Sequence, residues 1–170
     1  MADSGSEGRE NVNIVAGVDI SILHMTQSER DEQKITNENV AEALKTVAKH
    51  GGKEQKNLSG VTLPPISLDR CRIESENNHP LILNQSTIEE SSAKGAKINV
   101  PIHLNYATIN RLSMDRAEIK EDLHAKRAKF TNIFTASEAV FDNAINCEGA
   151  SFEDSVKIDE AKFNWAATFD

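Results

Sequence analysis

Apolar positions recur along most of this chain with a short, nearly constant period. The pattern is plainest over residues 128–170, where a small residue and a phenylalanine flank a single position every eleven residues: Ala128-Lys-Phe130, Ala139-Val-Phe141, Ala150-Ser-Phe152 and Ala161-Lys-Phe163. Second triplets lie between them: Phe134-Thr-Ala136, Ile145-Asn-Cys147, Val156-Lys-Ile158 and Ala167-Thr-Phe169. Residues two apart on extended backbone point the same way. Each triplet therefore predicts a very short strand with its outer members inward and its middle member outward. No helix fits, because the spacing leaves no continuous stripe at i, i+3 and i+4.

The polar residues between triplets, such as Thr131-Asn132, Asp142-Asn143 and Glu153-Asp154, suit corners. Four sides would close one turn in about 20 to 22 residues, with successive turns about 4.8 Å apart and joined by backbone hydrogen bonds. Residues 22 apart then share a side, so Phe130 should stack on Phe152 and Phe141 on Phe163. The same triplets run upstream, less regularly, through Leu123-His-Ala125, Ala117-Glu-Ile119, Ala107-Thr-Ile109 and Ser91-Ser-Ala93 to Val61-Thr-Leu63. One insert, Glu74 to Pro80, interrupts them. In all, twenty triplets run from 61 to 169, or about five four-sided turns. The steps are mostly five residues before Ala117 and alternate six and five after it.

The small residue and the central Leu or Phe of these triplets resemble the pentapeptide-repeat family, whose loose consensus is Ala-(Asp/Asn)-Leu/Phe-x-x. The resemblance covers residues 58–170. It implies an all-β solenoid, a right-handed quadrilateral parallel β-helix of about five turns. Ser91-Ser-Ala93, which lacks a large central residue, departs from the consensus.

Upstream of the coil the pattern changes. Residues 1–12 are Gly, Ser, Glu and Asn with little to bury and read as a disordered tail. Residues 13–57 read as a small α-helical N-terminal cap. Val18-Asp-Ile20-Ser-Ile22 alternates like a strand or an early coil side. Ser28-Glu-Arg-Asp31 resembles a capping box and predicts a short helix over 29–34. Thr36 is the N-cap of a second helix near 37–50, with Val40, Leu44 and Val47 on one face and Gly51-Gly52 as its stop. That apolar face is thin and needs a surface. The open first turn at Val61–Leu63 and Ile66–Leu68 would supply it, since a solenoid end has to be covered.

Composition adds bounds. Hydrophobic residues make up only 38%, which suits a narrow core column better than a globular one. No apolar run reaches membrane-spanning length, and the N-terminus carries no signal-peptide core, so a cytoplasmic location is expected. Cys71 and Cys147 sit at inward triplet positions and predict small buried hydrophobes, with no spacing that supports a disulfide or metal. The histidines are scattered, and His103 and His124, as middle residues, should point outward. No phosphate loop, HExxH, CxxC or Gly-x-Ser-x-Gly occurs, so neither catalysis nor a cofactor is expected.

The net charge is −8, and residues 131–170 hold eight acids against Lys157 and Lys162. That balance disfavours direct nucleic-acid binding. Candidate interaction residues are the corner acids Glu153, Asp154, Asp159 and Glu160, together with Trp165 and Phe169. The reading is a non-enzymatic scaffold for protein–protein contact. The resemblance also implies a DNA-mimic alternative, binding a type II topoisomerase as gyrase inhibitors and quinolone-protection proteins do. A further alternative is a cytosolic regulatory fragment of a larger protein, membrane proteins included. The apolar rim of the final turn makes an end-to-end homodimer an expected partner arrangement.

Overall fold

The computed structural model describes residues 13 to 169. The tail expected over residues 1–12 lies outside them.

From Leu58 onward the chain winds as a four-sided parallel coil of about five turns. The first side stacks Thr62–Leu63, Thr87–Ser92, Thr108–Ser113, Lys129–Phe130 and Ser151–Phe152. The second begins at Ile66–Ser67, shares the two long strands, and continues through Phe134–Thr135 and Val156–Lys157. The third runs Arg72–Glu74, Lys97–Asn99, Glu118–Ile119, Val140–Phe141 and Lys162–Phe163. The fourth runs Leu81–Ile82, Ile102–His103, Leu123–His124, Ile145–Asn146 and Ala167–Thr168. With its helical cap, the coil matches the pentapeptide-repeat fold.

Register explains the uneven steps. Thr87 pairs with Thr108, 21 residues on, whereas Lys129 pairs with Ser151, 22 on. Two kinds of corner account for the difference. The corners before the first side and after the second are tight turns. Each is closed by an N–H donating three residues back, as Ala107 does to Leu104 O at 3.1 Å and Ala117 to Met114 O at 3.0 Å. The residue before the donor has positive φ: Gly60, Gln85, Tyr106, Arg127 and Gly149 at one corner, Arg70, Gly95, Arg116, Glu138 and Glu160 at the other. The alanine that opens most of the triplets after tight corners follows directly and packs beneath the turn, fully buried at Ala107, Ala128 and Ala139. The other two corners are looser. One gains a residue around Asn132, between Phe130 and Phe134, and so turns five-residue steps into six.

That gain coincides with a change of core. The inward file of the first side reads Leu63, Ile88, Ile109, then Phe130 and Phe152, and that of the third reads Ile73, Ile98, Ile119, then Phe141 and Phe163. Larger rings need a wider cross-section. Phe130 stacks on Phe152 with centroids 4.7 Å apart and planes 4° off parallel, and Phe141 on Phe163 at 5.3 Å and 4°. Phe134 meets Phe130 edge-on at 5.2 Å. Ser91, the small inward residue of the second side, borders a void of about 70 Å³ among Leu63, Ile66, Ile88 and Leu112.

The cap differs from expectation in detail. A hairpin of β1 (Ile14–Val15) and β2 (Val18–Asp19) is followed by a 3-10 turn over Ser21–His24, so the alternation over 18–22 yields only two strand residues. Helix α1 is Gln27–Glu32, not 29–34, and its N-cap is Thr26 rather than Ser28. The Thr26 hydroxyl accepts from the Glu29 N–H at 3.3 Å while the Glu29 carboxylate accepts from the Thr26 N–H at 2.7 Å. A glutamate reaches back from the third position, which Asp31 is too short to do as well from Ser28. Helix α2 (Asn37–His50) starts at Thr36 as expected and buries Val40, Leu44 and Val47 against the first-turn strands. Gly51 ends it because a Cβ there would lie 2.6 Å from Val47 O.

Two buried cations tie cap to coil. Arg30, 1% exposed, donates to Thr62 O at 3.1 Å on the edge of the first strand that no other strand pairs, and to Met25 O at 2.7 Å. Lys56 donates to Ser75 Oγ at 2.5 Å, Asn77 Oδ1 at 2.9 Å and His79 O at 3.2 Å, all in the insert over 74–80. Burial holds the Lys56 pKa below its ordinary value. The insert in turn reaches the end of α2, with Asn77 Nδ2 donating to Gly51 O at 2.9 Å and Glu76 Oε1 lying 2.9 Å from His50 Nδ1.

Phe130→Ala is expected to cost about 3–5 kcal/mol in urea unfolding, and Phe152→Ala, half-buried in the last turn, roughly half as much. Equal losses would contradict a core that thins toward that turn. Arg30→Met leaves two part-buried carbonyls without their donor and should cost about 2–4 kcal/mol. A loss under about 0.5 kcal/mol would mean that the guanidinium does not hold the cap.

Candidate interaction surface

The sequence-selected residues all lie in the last described turn, at the corners and ends of strands that have a single partner each. Ser151–Phe152, Val156–Lys157, Lys162–Phe163 and Ala167–Thr168 pair only with the turn before. In earlier turns both strand edges are used: Phe134 N–H donates to Ser155 O at 3.0 Å and Ala136 N–H to Lys157 O at 2.7 Å. One turn further on, the same edge of the coil is open among the described residues.

Apolar side chains collect at this open edge. Trp165, at a loose corner, is 70% exposed, and Phe169 is 41% exposed with its ring edge-on to Phe163 at 5.9 Å. Val156 and Ile158 are 42% and 39% exposed although they occupy inward positions of their triplet. They belong to this surface and were passed over in the sequence, where the repeat marks them as core. Their rank in the final turn was the available signal. Exposure removes their share of hydrophobic stabilisation from the monomer, at about 25 cal/mol per Å² left uncovered.

The four acids do not form one cluster. Glu153 and Asp154 stand at the corner between the first and second sides, Asp159 and Glu160 at the tight corner between the second and third. Exposed Lys157 lies between the two pairs and exposed Lys162 just beyond. Glu153 is ion-paired to Lys129, one turn away, at 2.9 Å. Asp154 Oδ1 accepts from the Ser155 N–H at 2.7 Å and hydroxyl at 3.1 Å. Glu160 occupies a positive-φ corner. Asp154, Asp159 and Glu160 make no ion pair among the described residues.

The remaining chemistry is sparse. Among the described residues, no group of three or more His, Cys, Asp or Glu is placed to hold a metal ion. Both cysteines are free; Cys147 is buried, which pushes its thiol up to about 11 and keeps it protonated, while Cys71 is half-buried. Tyr106 is exposed at its corner, with the Arg127 guanidinium 5.9 Å from its ring centre. No helix among the described residues is long and apolar enough to cross a membrane. Comparison of the chain with protein-family models, curated proteins and solved structures returns no match.

Because Trp165 and Ile158 leave the core half-open, Trp165→Ala and Ile158→Asp should each shift unfolding free energy by no more than about 1 kcal/mol. Chemical denaturation of the monomer checks this. A loss like that of Phe130→Ala would place these side chains in the core instead.

Proposed function

We propose that the chain is a non-enzymatic scaffold acting through protein–protein contact, and that its contact surface is the open face of the last turn, closed by a second copy end to end. The observation that carries this is the coincidence, on one face, of unpaired strand edges on all four sides with exposed Val156, Ile158, Trp165 and Phe169. An edge of this kind pairs with another edge unless something covers it. A two-fold arrangement would set each last-turn strand antiparallel to its mate and close the assembly rather than grow a filament. The rim carries Glu153, Asp154, Asp159 and Glu160 against Lys157 and Lys162, so two such ends repel on balance. Salt screens that repulsion.

Sedimentation at about 50 and 500 mM salt tests the reading. Dimer should increase at the higher salt and disappear in Ile158→Asp. A strict monomer at both ionic strengths would overturn it. One observation favours a second reading, the DNA-mimic binder of a type II topoisomerase: Asp154, Asp159 and Glu160 stand without cationic partners among the described residues. Its salt dependence runs the other way, since attraction to a basic DNA-binding surface weakens as salt rises. Gyrase should bind at low salt and be lost when Glu153, Asp154, Asp159 and Glu160 are neutralised together. Absence of binding at low salt would retire it.

A further inference from the structure

We propose that His103 and His124 form a two-histidine site for a divalent transition ion of the zinc class on the fourth side of the coil. This goes beyond the contact surface of the last turn and does not depend on it.

The argument starts from register. His103 and His124 are the outward residues of Ile102–His103 and Leu123–His124, and they are direct partners across adjacent parallel strands. Their side chains therefore leave the sheet in the same direction, one strand spacing apart. The ring centroids are 4.9 Å apart with planes at 69°. An ion bound by imidazole nitrogen at about 2.0–2.1 Å requires its two nitrogens to lie roughly 3 Å apart. Histidine χ2 is broad, so rings this close can reach that spacing by side-chain rotation alone, with no backbone movement.

The surroundings suit a cation. Asp122 is fixed by one oxygen, Oδ1, which accepts from the Ala144 N–H at 3.2 Å; the other, Oδ2, lies 3.9 Å from His124 Nε2. At that distance the carboxylate makes no hydrogen bond to the ring, but it adds negative charge beside the ion. Ile82 and Asn146 flank the pair along the file and bring no positive charge. Lys126, two residues beyond His124, is engaged by Glu148 at 2.7 Å. The His124 side chain is 32% exposed, which leaves room for water to complete the coordination. Two protein ligands make a weaker site than a closed set of four, and imidazole nitrogen selects zinc, copper or nickel over magnesium or calcium.

Titration of the full chain with ZnCl2, followed by the imidazole resonances in NMR, tests the site. His103 and His124 should shift together and saturate at one Zn²⁺ per chain. His103→Gln and His124→Gln should each weaken binding at least roughly tenfold, the lower range for disturbing a metal site. His79→Gln, away from the pair, should leave it unchanged. Both glutamines replace outward polar side chains, and circular dichroism verifies that the variants fold. The proposal is overturned if Zn²⁺ moves other histidines alone, if binding appears only at millimolar ion, or if either glutamine variant keeps wild-type affinity.

Discussion

Everything in this molecule depends on the in-register hydrogen bonding of one turn to the next. Once Thr108 is paired with Lys129 and Ile109 with Phe130, each strand residue beyond the 74–80 insert stands over the one 21 or 22 positions away. The core is then not a free three-dimensional packing problem. It reduces to a set of files in which each side chain must suit its predecessor. Flat rings satisfy that condition by stacking, and branched aliphatics by nesting, so the files of the first and third sides keep one type over several turns and change it once.

This constraint explains what could be read from the residues and what could not. A file of like side chains writes itself into the sequence as a period, so Phe130 over Phe152 and Phe141 over Phe163 were legible before any coordinates. The tight corners were not. Seven of their ten positive-φ residues are Arg, Gln, Tyr or Glu, where local rules expect Gly or Asn. The ladder fixes the backbone there, and the strain of a left-handed Arg70 or Glu160 is offset by bonds on both sides of the turn. The helix start misread as Ser28 has the same character, since two overlapping capping patterns competed and geometry chose Thr26. At the candidate surface, Phe169 was legible as part of an apolar rim, while the sequence left Trp165 open between exposure and packing along the coil edge. Val156 and Ile158 were hidden by the regularity that revealed the fold, because a repeat does not announce which copy lies outermost. His103 and His124, four triplets apart, were read from the sequence only as outward residues; their direct contact came with the register.

The two ends of the coil treat the same physical problem differently. At the first turn, the edge is covered by α2 and its carbonyl at Thr62 is answered by Arg30, a charge buried at some desolvation cost. Lys56 does the same for the insert. Each bond is directional, so these cations fix where the cap sits more than how strongly it adheres. The thin apolar face of α2 could slide on aliphatic files, but a guanidinium aimed at one carbonyl cannot. Among the described residues no such cover lies on the last turn, and its strands pair on one edge.

The step from 21 to 22 residues per turn also bears on how such a chain can lengthen. A copy of residues 128–149 placed after Gly149 would meet its own kind in every file, Phe over Phe and Ala over Ala, with corners of matching size. The same copy placed above Ala107 would bring a wide turn between two narrow ones and leave a residue unpaired at the corner near Asn110. Duplication is therefore tolerated at the phenylalanine end and resisted next to the cap. The molecule has a fixed head and an extensible body, and its length can vary by whole turns without disturbing the cap that ties down its first strand.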